Sequence, residues 1–134
     1  MNVSDSSSRN VLILGGTSSL AKPLIELAKA DNFNVDLTSR NKVEDVNDGV
    51  RNVFYLDLEE INSLNAIFKT LTNYSYSRVI CLLGNTYHQV HPVSDESLEK
   101  YYVCFTVRLF RLIEFISMHC LIPKFSSRII VMSS

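Results

Sequence analysis

The chain has no excess of charge of either sign: 13 Lys and Arg stand against 14 Asp and Glu, for a net charge of −1. Its basic residues are scattered rather than striped. No general field draws nucleic acid or an anionic membrane, and neither is expected as a partner. Cysteine is sparse. Cys81, Cys104 and Cys120 are odd in number and lack C-x-x-C spacing, which argues against a disulfide scaffold or a zinc site and for a reducing compartment, so a cytoplasmic protein is expected. Long apolar runs are missing too; none approaches the ~20 residues of a membrane span. Residues 1–9 are polar and Ser-rich, without the apolar stretch of a signal peptide. There is no internal repeat and no linker.

What is present is an ordinary globular composition, 46% hydrophobic and 20% charged over 134 residues, enough for one domain with a real core. We expect a flexible lead over 1–9 and a single folded unit over 10–134. Val11-Leu12-Ile13-Leu14 is a continuous apolar run stopped by Gly15-Gly16, the pattern of a buried parallel strand. A helix follows, with Ser18 or Ser19 able to cap it, Pro23 tolerated in its first turn, and Leu20, Leu24, Leu27 and Ala28 on one face. Asn34 to Ser39 reads as a second strand with Val35 and Leu37 inward, and residues 41–50 read as an acidic, solvated loop.

Val53 to Leu56 is a third strand ended by Asp57, and Ile61, Leu64, Ile67, Phe68 and Leu71 keep helical spacing. Val79 to Leu83 is a fourth strand. Ser94-Asp95-Glu96 opens a long helix whose stripe includes Leu98, Tyr102, Phe105, Leu109, Leu112, Ile113 and Ile116. Arg128 to Met132 is a fifth strand. This alternation predicts right-handed crossovers and an α/β, Rossmann-type doubly wound parallel sheet of order 3-2-1-4-5, with ligands at its carboxyl edge where strands 1 and 4 diverge.

The chemistry concentrates in the first turn, Gly15-Gly16-Thr17-Ser18-Ser19-Leu20-Ala21. A strand that passes through glycine into a helix N-terminus can present backbone N–H groups and the helix dipole to a phosphate. Gly15 permits the tight turn, and the Thr17 and Ser18 hydroxyls can donate to phosphate oxygens. The same residues also suit a plain strand-to-helix turn. His88 and His91 lie in a loop with no further ligand beside them, so no metal site is expected.

The turn resembles that of the short-chain dehydrogenase/reductase family, whose divergent members read G-A-T-S-x-I-G. Gly15 matches the first glycine, Ser19 takes the second's place and Ala21 the third's; Leu20 lies between them. The resemblance continues at Thr38-Ser39-Arg40, after strand 2. Ser39 replaces the acidic residue that NAD-preferring members place on the ribose, and Arg40 suits a 2′-phosphate. It therefore implies NADP(H) in preference to NAD(H). Asp57-Leu58 resembles the family's adenine contact, although Asp57 equally suits a helix N-cap. Leu83-Gly84-Asn85 matches the end of the N-N-A-G stretch at the adenine ribose.

Val103-Cys104-Phe105 aligns with a V-N-x segment whose asparagine supports a proton relay; a buried thiol is the plainer reading of Cys104. Arg128 to Ser134 resembles the family's fifth strand, G-R-I-V-x-I-S-S, which assigns Ser134 to hold the reacting carbonyl or hydroxyl. The family's Tyr-x-x-x-Lys is expected beyond Ser134. The resemblance thus implies the NADP(H)-binding portion of an oxidoreductase acting on a carbonyl or alcohol, incomplete and inactive as it stands. It also implies a homo-oligomer. A non-catalytic nucleotide-binding or scaffold protein of the same fold is the alternative.

Overall fold

Four apolar runs and the alternating segment Asn34–Ser39 become five parallel strands: helices cover the two faces of the sheet, so successive side chains bury alternately above and below. The computed structural model describes residues 9–16, 19–41, 49–83, 95–122 and 128–131. In chain order these form β1 (Asn10–Leu14), α1 (Ala21–Ala30), β2 (Asn34–Ser39), β3 (Val50–Tyr55), α2 (Ile61–Leu71), β4 (Arg78–Cys81), α3 (Asp95–Tyr102), a π-helical turn (Val103–Arg108), α4 (Leu109–His119) and β5 (Arg128–Val131). The sheet order is β3-β2-β1-β4-β5 and every pairing is parallel, as the alternation of elements predicts.

β1 shows the division of labour. Leu12 and Leu14 join Val79, Leu64, Ile67, Leu112 and Ile116 in a core beneath α2 and α4. Val11 and Ile13 join Val35, Leu37, Ala21 and Ile25 in a second core beneath α1. The Phe68 and Phe115 rings stack at 4.7 Å where α2 meets α4. Among the described residues no helix is long and apolar enough to cross a membrane.

Several local expectations shift. In α1 the buried residues are Ala21 and Ile25, whereas Leu20 and Leu27 are 45% and 65% exposed. Small Ala21 lets the helix approach the sheet closely, and this rotates the expected leucine face partly into solvent. β3 begins at Val50, three residues before the apolar run, because Arg51 and Asn52 bond Asp36 across the strand pair. The long helix buries Leu109, Leu112 and Ile116 as expected but leaves Leu98 and Tyr102 exposed. A π turn rotates less per residue than an α turn, so a stripe counted at uniform α spacing loses phase across 103–108. The Phe105 side chain lies outside those described. Arg9, counted with the lead, donates from its guanidinium to the Asp31 carbonyl at 2.8 Å.

β2 was expected to bury Val35 and Leu37; it also buries Asp36, Thr38 and Ser39. Each of these polar side chains has a partner, as burial requires.

Candidate functional site

Leu14 hands the chain to Gly15, whose φ of +103° is open to glycine and strained for any residue with a Cβ. Gly16 is confined differently: a Cβ there would sit 2.6 Å from Leu37 Cδ1 and 2.8 Å from the Thr38 carbonyl oxygen. The turn is thus a cradle that only backbone fits, wedged between the ends of β2 and β4. The Gly15 N–H donates to Thr38 Oγ1 at 2.9 Å, and the Gly16 N–H to the Thr38 carbonyl at 2.6 Å. Sequence reasoning gave neither Gly16 nor Thr38 a role. The glycine doublet was a visible signal for the first; nothing local marks the second.

Thr17 and Ser18 lie outside the described residues. Ser19 and Leu20 are exposed at the start of α1. The N-cap is Leu20 rather than a serine, it makes no side-chain cap bond, and the first turn holds no acidic residue. No carboxylate of its own first turn therefore opposes the positive end of the helix dipole, a condition that favours an anion there. The glycine cradle thus leads directly to the positive end of α1.

The end of β2 lies against this turn. Ser39 is buried, its Oγ accepts the Asn41 N–H at 3.1 Å, and its carbonyl accepts the Leu56 N–H at 2.9 Å. Arg40 follows at once and is exposed. One residue that is tied down thus precedes one that is presented to solvent. On the other side of the cradle, Leu83 is half-buried, with its Cδ2 3.3 Å from where a Gly15 Cβ would stand. Gly84, Asn85 and Ser134 lie outside the described residues, as do His88 and His91.

Past β3, Asp57 builds the loop into α2. Its Oδ1 accepts the Glu59 N–H at 2.9 Å, and its carbonyl accepts from the Ser63 hydroxyl at 2.7 Å. The N-cap of α2 is Glu60, and Asp57 holds the turn just before it. Leu58 packs into the core, and its carbonyl accepts from the Arg108 guanidinium at 2.5 Å. That bond ties the π turn to the carboxyl end of β3.

Cys104 sits in the π turn, 2% exposed, with its thiol pushed up by burial. It floors a pocket of about 380 Å³ lined by Glu59, Glu96, Glu99, Lys100, Val103 and Arg108, whose rim carries a 3.2 Å ion pair between Lys100 and Glu59. A thiol kept protonated is a poor nucleophile. Among the described residues no group of His, Cys, Asp or Glu could hold a metal.

No family model matches the sequence, and no curated protein matches it. Solved structures do match in fold. A protein described as a short-chain dehydrogenase/reductase from Burkholderia multivorans, with bound NADP, superposes with a TM-score of 0.73 at 16% identity, over 95% of this chain and 59% of that one. A short chain dehydrogenase family protein from Francisella tularensis gives 0.72 at 16% identity, over 92% of this chain and 50% of that one. A short chain dehydrogenase from Leptospira borgpetersenii with bound NAD+ gives 0.61 at 19%, over 86% and 47%. The sheet and its helices are therefore folded as in short-chain dehydrogenase/reductase structures. The chain spans half to three fifths of the length of the first two.

Proposed function

We propose that this chain binds a nicotinamide dinucleotide at the carboxyl edge of its sheet, NADP(H) in preference to NAD(H), as the cofactor-binding part of an oxidoreductase of the short-chain dehydrogenase/reductase type. The observation that carries the proposal is the Gly15-Gly16 cradle leading into the amino end of α1, whose first turn holds no acidic residue. The presence of NADP and NAD+ in proteins of the same fold supports the choice of ligand class.

Because the amides of Gly15 and Gly16 are given to Thr38, the donors to the diphosphate start at Thr17 and run through Ser18, Ser19 and Leu20 into α1. Arg40 receives the 2′-phosphate, whose charge a guanidinium matches with paired hydrogen bonds. Ser39, where an acidic residue would favour NAD(H), repels no phosphate. Asp57 and Leu58 border the adenine, and Leu83 to Asn85 its ribose. When bound, the nicotinamide supplies hydride exchange with a carbonyl or alcohol carbon, and Ser134 would hold the oxygen of that substrate.

Titration with NADPH and NADH by fluorescence tests the reading. The chain should bind NADPH more tightly, and Arg40→Ala should lose about tenfold for NADPH while leaving NADH unchanged. Equal affinities for both dinucleotides, unaltered by R40A, would overturn the NADP(H) preference. Absence of binding would overturn the function. Ser19 and Cys104, where the sequence departs from the family's glycine and asparagine, favour a second reading, a nucleotide-binding or scaffold protein of this fold without chemistry. On that reading the gene product binds NADPH yet reduces no carbonyl compound.

A further inference from the structure

We infer that Thr38, a residue of β2 rather than of the glycine turn, is the positioning residue that presets the turn for the dinucleotide; this rests on the dinucleotide reading above. Thr38 is 1% exposed and both its Oγ1 and its carbonyl oxygen are engaged, so it acts through the groups it holds. Its Oγ1 takes the Gly15 N–H and its carbonyl takes the next one, from Gly16, at 2.9 and 2.6 Å. One residue thus fixes two consecutive peptide units.

The consequence is directional. An amide bonded to Thr38 is withdrawn from any phosphate, so the two glycines serve as a pinned base for the approach to α1. Without the Oγ1 the buried Gly15 N–H would lose its acceptor, and the turn would relax toward some other partner. Gly15 gains nothing from the strand ladder at this point, because its φ of +103° swings it out of the extended conformation. The bond to a side chain replaces a ladder bond.

Thr38 also stands directly before Ser39 and Arg40, and Ser39 is itself pinned to Leu56. The same short stretch therefore sets the spacing between the diphosphate end and the 2′-phosphate end of the site. These two functions separate experimentally. The diphosphate is common to both dinucleotides, so Thr38 affects their binding alike, whereas Arg40 affects only the phosphorylated one.

The test compares the full chain with Thr38→Val, which keeps the β-branched shape but removes the acceptor, and with Thr38→Ser, which restores it. T38V should weaken NADPH and NADH alike, by about tenfold, with their affinity ratio intact at temperatures well below its melting midpoint. T38S should stay within about twofold of wild type, and R40A should change the ratio instead. A folded T38V with wild-type affinities overturns this inference and leaves the dinucleotide reading standing. A wild-type chain that binds neither dinucleotide removes both. Should T38V not fold, amide exchange in the wild type decides. Gly15 and Gly16 amides protected before NADPH is added support the inference; protection that arises only on addition overturns it.

Discussion

The phenol of Tyr76 donates a 2.6 Å hydrogen bond to Oδ2 of Asp36, joining the entry of β4 to the middle of β2 beneath β1. Both side chains are fully buried. Asp36 also accepts from Arg51 Nε at 3.0 Å, from Arg51 Nη2 at 2.7 Å and from Asn52 Nδ2 at 3.0 Å. The carboxylate is thus satisfied by donors from β3 and from the residue leading into β4. A charge this deep survives only when so surrounded. The network gathers toward the amino ends of the strands, with Asn10 and Asn34 bonded beside it, on the opposite side of the sheet from the glycine turn. Its work is structural: it fixes the register of three strands whose apolar residues alone would tolerate slippage.

Removing that carboxylate should be severe. Asp36→Ala leaves the buried Tyr76 hydroxyl without its acceptor and the part-exposed Arg51 without its partner, and should cost about 2–4 kcal/mol, a large share of the stability of a domain of this size. Tyr76→Phe removes one donor of four and should cost about 1.5–3 kcal/mol. Urea denaturation measures both. An Asp36→Ala chain within about 1 kcal/mol of wild type would refute the structural role assigned to the network.

Gly16→Ala should cost more than its single methyl suggests. The new Cβ meets the Thr38 carbonyl oxygen at 2.8 Å, and backbone cannot yield as a side-chain tip can. About 1–3 kcal/mol of stability should go, together with NADPH binding. Gly15→Ala meets a tight contact, but with a side chain, Leu83 Cδ2 at 3.3 Å, and has the wrong φ, for a cost of about 1–2 kcal/mol. Thermal melts with and without NADPH distinguish the two. A Gly16→Ala chain that melts and binds as wild type would show that the cradle is not closed.

Stability should fall on the alkaline side. Burial pushes the Cys120 thiol up from an ordinary value of 9.0 to about 11, and burial together with Asp36 holds the Tyr76 phenol above its usual range. Between those thiol values the unfolded chain releases a proton that the folded chain keeps. The folded state is therefore fully favoured below about pH 9 and loses ground up to about pH 11. Cys120→Ala should flatten this part of the profile. A melting midpoint constant from pH 8.5 to about 11 would contradict it.

Among the described strands β5 has a neighbour on one side only, β4, and stands at the edge of the sheet. Ile130 and Val131 beside that edge are 44% and 56% exposed. An apolar groove lined by Leu24, Leu27, Phe33, Ile80 and Ile130 adjoins it between α1 and the sheet. Such an edge invites pairing with another copy. Sedimentation velocity should show reversible association that rises with concentration and that Ile130→Lys suppresses. A strictly monomeric wild-type chain at high concentration would count against it.

How much of this was legible from residue order depends on range. Strand order, layer arrangement and the glycine junction all follow from patterns within a dozen residues: an apolar run, a breaker, a helical period. The end of strand 2 at Ser39, with Arg40 directly after it, was legible in the same way. The lost phase of the long helix was not, since the π turn at Val103–Arg108 leaves no mark in a spacing count. Nor was the buried side of α1, where Ala21 and Ile25 compete with Leu20 and Leu27 as equally periodic sets.

By itself the sequence determined the class of fold, because hydrophobic periodicity and turn chemistry are local and each strand's run declares that both its faces are covered. Only the tertiary structure decided which polar groups meet. Thr38 with Gly15, and Asp36 with Tyr76 and Arg51, are pairs 15 to 40 residues apart. A hydrogen bond is directional and needs its partner within about 3 Å, a condition that sheet register creates and residue order cannot express.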